Sequence, residues 1–253
     1  MFEKRRILAI TVVGVLLGAG TGQASLIWDV YSDAEIGEGE VYGRVHVYDT
    51  PPEHTTLNML GGNVDLMEVY DSSTVNVSGG EINSLFAEDM STVSVSGGEV
   101  GWIRAQASAT VNVSGGRQGS IDGSGYPTIN FSGQAATGLV RVSQHTMLNM
   151  TGGSMRKVEL YDSVIVNLRA GVIPEGIVGF GFDGVVNVYG HDLAKTRSGG
   201  QYGHGQVSGF YPDGSAFTVD LGRELYSRVN LIPEPATLLL LSLGVLIARA
   251  RKS

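Results

Sequence analysis

A phrase of seven residues recurs along this chain about every eighteen residues, and this period constrains the fold more than any other feature. The phrase reads Thr-Val-Asn-Val-Ser-Gly-Gly at residues 74–80, and related copies begin at Thr56, Thr92, Thr110 and Thr128. Weaker copies near residues 148, 166 and 186 bring the number to eight, with steps of 18 to 20 residues. So short a period indicates a solenoid, whose units are stabilised by stacking on their neighbours.

The repeat is too short for helices and has the alternation of a strand. Helical repeats need about 33 residues or more, whereas 18 extended residues form a loop of about 60 Å, which is one turn of a parallel β-helix. In residues 74–78 two valines alternate with three polar residues, as in a half-buried strand. Gly79 and Gly80 then offer a corner without a Cβ, and Ile82, Leu85 and Ala87 form a second apolar set.

The sequence therefore predicts an all-β fold, a parallel β-helix (β-solenoid) of about eight 18-residue coils. A left-handed coil of hexapeptides would place an aliphatic residue at every sixth position, but the sixth residue after Val75 is Glu81. We therefore predict right-handed winding. Because the chain has no cysteine, neither disulfides nor thiolate sites are expected, and burial of aliphatic side chains must stabilise the stack.

Departures from the repeat divide the chain. Residues 41–190 carry the repeats, with a surface bulge expected at residues 51–54. Residues 25–40, which include Trp28 and Tyr31, are predicted to cap the open N-terminal coil, because an uncovered coil would expose apolar groups and strand edges. Residues 191–232 are predicted to form a C-terminal cap or hairpin and a linker, with two short strands about the Pro-Asp-Gly turn at 212–214.

The last 21 residues have the pattern of a membrane address. The tripeptide Pro233, Glu234 and Pro235 precedes an apolar run at 236–248 and the basic residues Arg249, Arg251 and Lys252. A helix can begin after the prolines, and the run is marginal against the roughly 20 residues of a full span. We predict one C-terminal transmembrane helix with a basic stop on the cytoplasmic side. The alternative is a buried core helix, but residues 238–241 are all leucine and leave no polar face.

This C-terminal pattern resembles the sorting segment of PEP-CTERM proteins, which Gram-negative, exopolysaccharide-producing bacteria export and an exosortase handles. The resemblance covers residues 233–253 and leaves the activity of the exported part open. It implies an exosortase and the export machinery as partners, transient anchoring in the inner membrane, and a final location in the cell envelope, at the cell surface or outside the cell.

The N-terminus predicts a signal peptide at residues 1–24. Basic residues at 4–6 precede an apolar stretch at 7–19, and Gly22 and Ala24 are small residues where a signal peptidase requires them. We predict cleavage between Ala24 and Ser25. A retained N-terminal membrane helix is the alternative, which the short apolar core disfavours.

The charge of the chain limits the classes of molecule that it is expected to bind. The formal net charge is −8, and six of the 17 basic residues lie in the two terminal segments. The exported part is therefore more acidic still, which argues against nucleic acid as a partner.

Stacked coils would align the polar residues of the repeat into columns. The expected ligand face consists of Thr74, Asn76, Ser78, Thr92, Ser94, Ser96, Thr110, Asn112 and Ser114. Such a flat face of hydroxyls and amides could bind a polysaccharide or ice. The alternative is that Thr favours strands and Asn forms hydrogen-bonded ladders between coils, which needs no ligand.

Acidic residues give weaker signals. Asp71, Asp89 and Asp162 occupy one place in their coils, where they suit turn capping or, less readily, a calcium ladder. Glu68, Glu88 and Arg104 are too mixed to define a general acid and base. We predict no catalytic residue, metal site or cofactor.

The sequence thus predicts an exported, non-catalytic structural or adhesive protein of the surface or matrix, with extracellular polysaccharide as a possible partner. One alternative is a carbohydrate- or ice-binding module that uses the ligand face. A remote alternative is a polysaccharide lyase or hydrolase.

Overall fold

The computed structural model describes residues 26–52, 54–197, 200–222 and 224–234. These residues form a parallel β-solenoid of about nine turns, which confirms the predicted all-β fold. Their helical content is a single 3₁₀ turn at Tyr226–Arg228.

Most coils contain one strand of four residues, the short strand, and one of seven, the long strand. Strands β1 to β10 cover Ile27–Val30, Ala34–Ile36, Val41–Val47, Thr56–Met59, Asn63–Val69, Thr74–Val77, Glu81–Ala87, Thr92–Val95, Glu99–Ala105 and Thr110–Val113. Strands β11 to β20 cover Arg117–Gly123, Thr128–Phe131, Ala136–Val142, Met147–Tyr161, Ile165–Val172, Ile177–Phe180, Val185–Thr196, Gln206–Phe210, Ala216–Asp220 and Val229–Pro233.

Each strand of the regular coils pairs in parallel with its counterpart one coil before and one coil after. Short strands β4, β6, β8, β10 and β12 form one continuous ladder, and long strands β3, β5, β7, β9, β11 and β13 form another. The register equals the sequence repeat, since Val75 pairs with Val93 and Val93 with Val111. The stacking that the period predicts is therefore confirmed.

The inward residues of both ladders form one hydrophobic core. In β6 and β8 the pattern alternates strictly, so that Val75 and Val93 are fully buried while the threonines and the polar residues between the valines are partly exposed. In β7 the buried side chains are Ile82, Leu85 and Ala87, as the second apolar set predicts. Each coil thus adds aliphatic groups directly above those of the coil before it.

The Gly-Gly pairs are explained by contacts between coils. A Cβ at Gly97 would collide with the carbonyl oxygen of Ser78, in the preceding coil. The next residue, Gly98, has a φ of 74°, in the left-handed region that favours glycine. Close stacking of backbones at the corner therefore requires the glycine that the repeat supplies.

The N-terminal residues extend the solenoid. Strands β1 and β2 pair in parallel with β3 and β4, so residues 27–36 form a coil of their own above the first repeat. Trp28 stacks on Tyr42 with a centroid distance of 5.1 Å. This additional coil accounts for about nine turns where the repeats alone predict about eight. In the segment between β3 and β4, Pro51, Pro52 and His54 are exposed.

The C-terminal end departs from the coil geometry. Strands β18 and β19 form an antiparallel hairpin about the Pro-Asp-Gly turn, and β18 also pairs with the second half of β17. The hairpin buries the side chains of Tyr211, Phe217 and Val219. The rings of Tyr211 and Phe217 stack with a centroid distance of 4.1 Å. Strand β20 then returns to pair in parallel with β17, which adds a last strand to the short-strand ladder.

The two predicted membrane segments cannot be compared with the structure. The signal peptide and the apolar run at 236–248 both lie outside the described residues. Among the residues that are described, no helix has the length and apolar character needed to cross a bilayer.

Candidate functional site

The outward side chains of the short strands form the expected columns. Thr74, Thr92 and Thr110 lie in register, as do the residues two positions later in each strand. The residues chosen as a ligand face therefore do lie on one face. Whether this face binds a ligand remains a prediction.

The asparagine column is bonded along its own length. The Nδ2 group of Asn76 donates to Oδ1 of Asn58 at 3.0 Å. A longer run of such bonds, between 2.8 and 3.2 Å, joins Asn112, Asn130, Asn149, Asn167, Asn187 and Asn230 in order. Ser94 lies between Asn76 and Asn112 and separates the two runs. This asparagine ladder is the alternative that the sequence also allows, in which the asparagines bond to one another and need no ligand.

The hydroxyls of this face fall into two groups. Ser78 and Ser96 each donate to a backbone carbonyl of the preceding coil, Met59 and Val77 respectively, at 3.3 Å. In the described part of the chain, the threonine hydroxyls at positions 74, 92 and 110 have no protein partner. The threonine column is thus the part of the face whose polar groups remain for solvent or a ligand.

The repeated aspartates are turn residues. Asp71, Asp89 and Asp162 all have φ between 54° and 57°, a left-handed conformation that Asp tolerates better than most residues. The carboxylate of Asp89 accepts from the backbone N–H of Asp71 at 3.3 Å, and that of Asp162 accepts from Gln144 at 3.3 Å. They link the turns of adjacent coils. Nowhere in the described ranges do three or more His, Asp or Glu side chains form a cluster that could hold a metal ion.

The acids and the arginine of the long strands lie on the other outward face, in two adjacent columns. Glu68 and Arg104 belong to one column, separated by Phe86, and Glu88 belongs to the next. Burial raises the pKa of Glu88, although Arg104 acts in the opposite direction. With its amide nitrogen towards Glu88, Gln106 donates to that carboxylate at 2.7 Å and accepts from Arg104 at 2.9 Å. The three groups are therefore held in contacts between coils.

Near the N-terminal end this face carries a histidine clamp that the sequence reasoning missed. The imidazole of His46 lies between two carboxylates, with Nδ1 at 2.7 Å from Asp29 and Nε2 at 3.0 Å from Glu68. It therefore joins three successive coils. Residues 27–30 carry no copy of the repeat phrase, so periodicity does not align Asp29 with His46.

Beside the clamp runs a stack of tyrosines. Tyr31, Tyr48 and Tyr70 stack with centroid distances of 5.3 and 5.1 Å. Burial, followed by the charge of Glu68, raises the pKa of Tyr70 to about 12, so its phenol stays neutral at ordinary pH. The recurring Tyr-Asp pairs at 48–49 and 70–71 were the available sequence signal. Because the inner rings cover one another, the stack works as packing between coils.

The sorting residues lie at the limit of the described chain. Pro233 ends β20, and the N–H of Glu234 donates to the carbonyl of Gly190 at 2.9 Å. Pro235, the basic stop at residues 249, 251 and 252, and the cleavage site at Ala24 and Ser25 lie outside the described residues.

Comparison of the chain with protein-family models, with curated proteins and with solved structures gives no match.

Proposed function

We propose that this chain is an exported, non-catalytic structural or adhesive component of the cell surface or of an extracellular polysaccharide matrix, sorted by an exosortase-type system. The observation that supports export is the C-terminal pattern of Pro233, Glu234 and Pro235, followed by an apolar run and a basic end. A structural role is supported by the polar groups of the repeat, many of which bond from coil to coil.

The proposal also covers the C-terminal helix and the handedness of the solenoid. The apolar run is a transmembrane helix that anchors the chain in the inner membrane of a Gram-negative bacterium until processing. The solenoid winds to the right, because a crossover between parallel strands of one sheet almost always takes that hand. The partners are the export machinery, the exosortase and, outside the cell, polysaccharide.

Fractionation of the native host, with and without its exosortase, tests the route. We expect the chain in the outer fractions of the wild type and an inner-membrane form in the strain without exosortase. Replacing residues 233–235 by alanine should reproduce the second result in a wild-type host, whereas alanine at the exposed positions 51 and 52 should leave sorting unchanged. Normal sorting of the 233–235 variant would contradict the proposal.

A second candidate function is binding of carbohydrate or ice by the threonine column. It is favoured by hydroxyls that have no partner among the described residues and that recur at the coil spacing of about 4.8 Å. The test replaces Thr74, Thr92 and Thr110 together by lysine, with Asn63, Glu81 and Glu99 replaced by lysine as a control on the long strands. Loss of matrix-glycan or ice binding in the first variant alone would support this candidate.

The non-catalytic part of the proposal has its own test. The chain should not degrade a panel of pectin and other uronate polymers. Activity that disappears in the Glu88→Gln variant would instead support a polysaccharide lyase or hydrolase.

A further inference from the structure

A cavity of about 510 Å³ opens at the C-terminal end, outside the regular coils. Its walls come from the segment after β16, the end of β17, the loop before β18 and the 3₁₀ turn. The residues that bear on its chemistry are Phe182, Arg197, His204, Glu224, Tyr226 and Arg228. The volume lies within the roughly 300–1,000 Å³ of small-molecule sites.

Cationic groups converge on Tyr226, whose ring lines this cavity. Nζ of Lys195 lies 4.7 Å from the centroid of the Tyr226 ring, and the guanidinium carbon of Arg197 lies 5.2 Å from it. Lys195 also donates to the carbonyls of Tyr226 and Val229, at 3.0 and 2.9 Å, which holds its charge in place. In a chain with a formal charge of −8, this cluster is a local reversal of sign.

The two arginines keep most of their donors free. Nη1 of Arg228 donates to the carbonyl of Asp183 at 3.1 Å. Within the described parts of the chain, neither Arg197 nor Arg228 has a carboxylate within salt-bridge distance. A guanidinium has five N–H donors in a planar fork that matches an oxyanion. Two such forks line one cavity here.

We infer that this cavity binds a sugar unit that bears an oxyanion, with Arg197 and Arg228 pairing with the charged group. A cationic ligand would meet the arginines, and an apolar one would leave them desolvated without a partner. A bare ion would leave most of the volume to water, whereas a sugar ring would occupy a larger share of it. His204 and Glu224 supply hydrogen-bonding groups for ring hydroxyls, and Phe182 and Tyr226 supply the apolar wall.

Glu224 makes the inference sharply testable. Its carboxylate shares the cavity with the proposed anion, so it weakens binding of that charge. Removing this charge should therefore strengthen binding of an anionic sugar, whereas it would weaken binding of a cation. The inference depends neither on the export route nor on the proposed function.

The experiment titrates the full chain with glucuronate, glucose 6-sulfate, glucose and inorganic sulfate by calorimetry at fixed ionic strength. We expect saturable binding of one or both anionic sugars and at least tenfold weaker binding of glucose and of inorganic sulfate. The Arg197→Gln variant should lose at least tenfold in affinity, and Glu224→Gln should gain severalfold. Arg117→Gln, which changes an exposed arginine of β11, is the matched control and should bind as the wild type does.

Several results would overturn the inference. Glucose binding equal to that of the anionic sugars would remove the role of the charge, and inorganic sulfate binding as tightly would reduce the cavity to a simple anion site. Unchanged affinity in Arg197→Gln, or weaker binding in Glu224→Gln, would place the ligand elsewhere. Among the described residues, the exposed Arg197 side chain contacts the Tyr226 ring and makes no hydrogen bond to the backbone. Its variant should therefore keep a melting temperature close to that of the wild type, which separates lost binding from lost folding.

Discussion

The two outward faces of the solenoid arise from the same repeat, but their side chains interact between coils in different ways. The short-strand face repeats one residue type over several successive coils of a column, as in the asparagine ladder. The long-strand face is more varied, although Glu99 follows Glu81 and Tyr70 follows Tyr48 on it. One of its columns reads Asp29, His46, Glu68, Phe86, Arg104, Asp122, Arg141 and Glu159.

The difference follows from the chemistry of the side chains. An amide is both donor and acceptor, so identical asparagines can bond in series. A charged group that follows its own kind is disfavoured, because like charges directly opposite in adjacent strands repel. The pair of Glu81 and Glu99 is an exception, and both of these residues are exposed. From Arg104 to Glu159 the charged column accordingly alternates in sign, with Arg141 at 3.3 Å from Glu159 and 3.9 Å from Asp122. Nearer the N-terminus, His46 lies between two acids. Repetition of one residue type is therefore commoner on the neutral face than on the charged one.

The corner glycines set the coil spacing on which both faces depend, so changing one should have the largest effect. Gly97→Ala places a Cβ against the Ser78 carbonyl, and we expect a loss of about 3 kcal/mol in the free energy of unfolding, measured with urea. Gly37→Ala is the matched control, because its Cβ would meet only a Glu40 oxygen at 3.9 Å. Equal stability of the two variants would refute the account of the corners.

Breaking the neutral face should have the next largest effect. Asn130→Ala removes the bond to Asn112 at 2.8 Å and the bond from Asn149 at 2.9 Å, and it leaves both partners unsatisfied. We expect a loss of about 2 kcal/mol in urea denaturation. Thr128→Val in the same strand keeps the branched shape and should change stability by less than about 0.5 kcal/mol. Similar losses of stability in both variants would mean that the asparagine ladder does not stabilise the fold.

Breaking the alternation of the charged face should cost less. Arg141→Glu would place three acids in succession with Asp122 and Glu159, and we expect a loss of about 1 kcal/mol. The loss should shrink in 1 M salt, where charges are screened over about 3 Å. Arg141→Leu serves as the control without reversed charge. A loss of stability that does not change with salt would mean that the effect arises from packing and not from charge.

Acid should weaken the charged face slightly. Burial alone would raise the pKa of Glu159, but hydrogen bonds and charge from Lys157 and Arg141 outweigh it and lower the pKa below its ordinary value of 4.5. Its ionised form therefore stabilises the fold above that value, and the contribution is lost as pH falls through the folded pKa. The stability difference between wild type and Glu159→Gln should be about 0.5 kcal/mol near pH 6 and should shrink as the pH falls below 4.5. A difference that persists in acid would contradict this.

The neutral face could be predicted from sequence because a constant period sets its register. The alternation in Thr74–Val77 and the glycine corners were sufficient to place Val75 beside Val93. Periodicity does not predict the first coil, because residues 27–36 lack the Thr-x-Asn phrase, although Ile36 and Val30 pack inward like later residues. Its apolar residues suited a cap equally well.

The charged face and the cavity were harder to predict for a physical reason. The sequence predicts one set of Glu68, Glu88 and Arg104, but the register puts Glu88 in a different column, because such pairings depend on which residue faces which. The cavity is built from segments without a repeat, so no periodicity relates Arg197 to Arg228. Contacts between non-repeating segments follow from the folded path of the chain alone.

Ser94 offers the most direct test of the claim that the repeat serves stacking. It interrupts the asparagine ladder, so Ser94→Asn should supply one bond to Asn76 and accept one from Asn112. We predict that this variant is more stable than the wild type by about 1 kcal/mol in urea denaturation, with Ser94→Ala close to neutral. Unchanged or lower stability of Ser94→Asn would contradict the account.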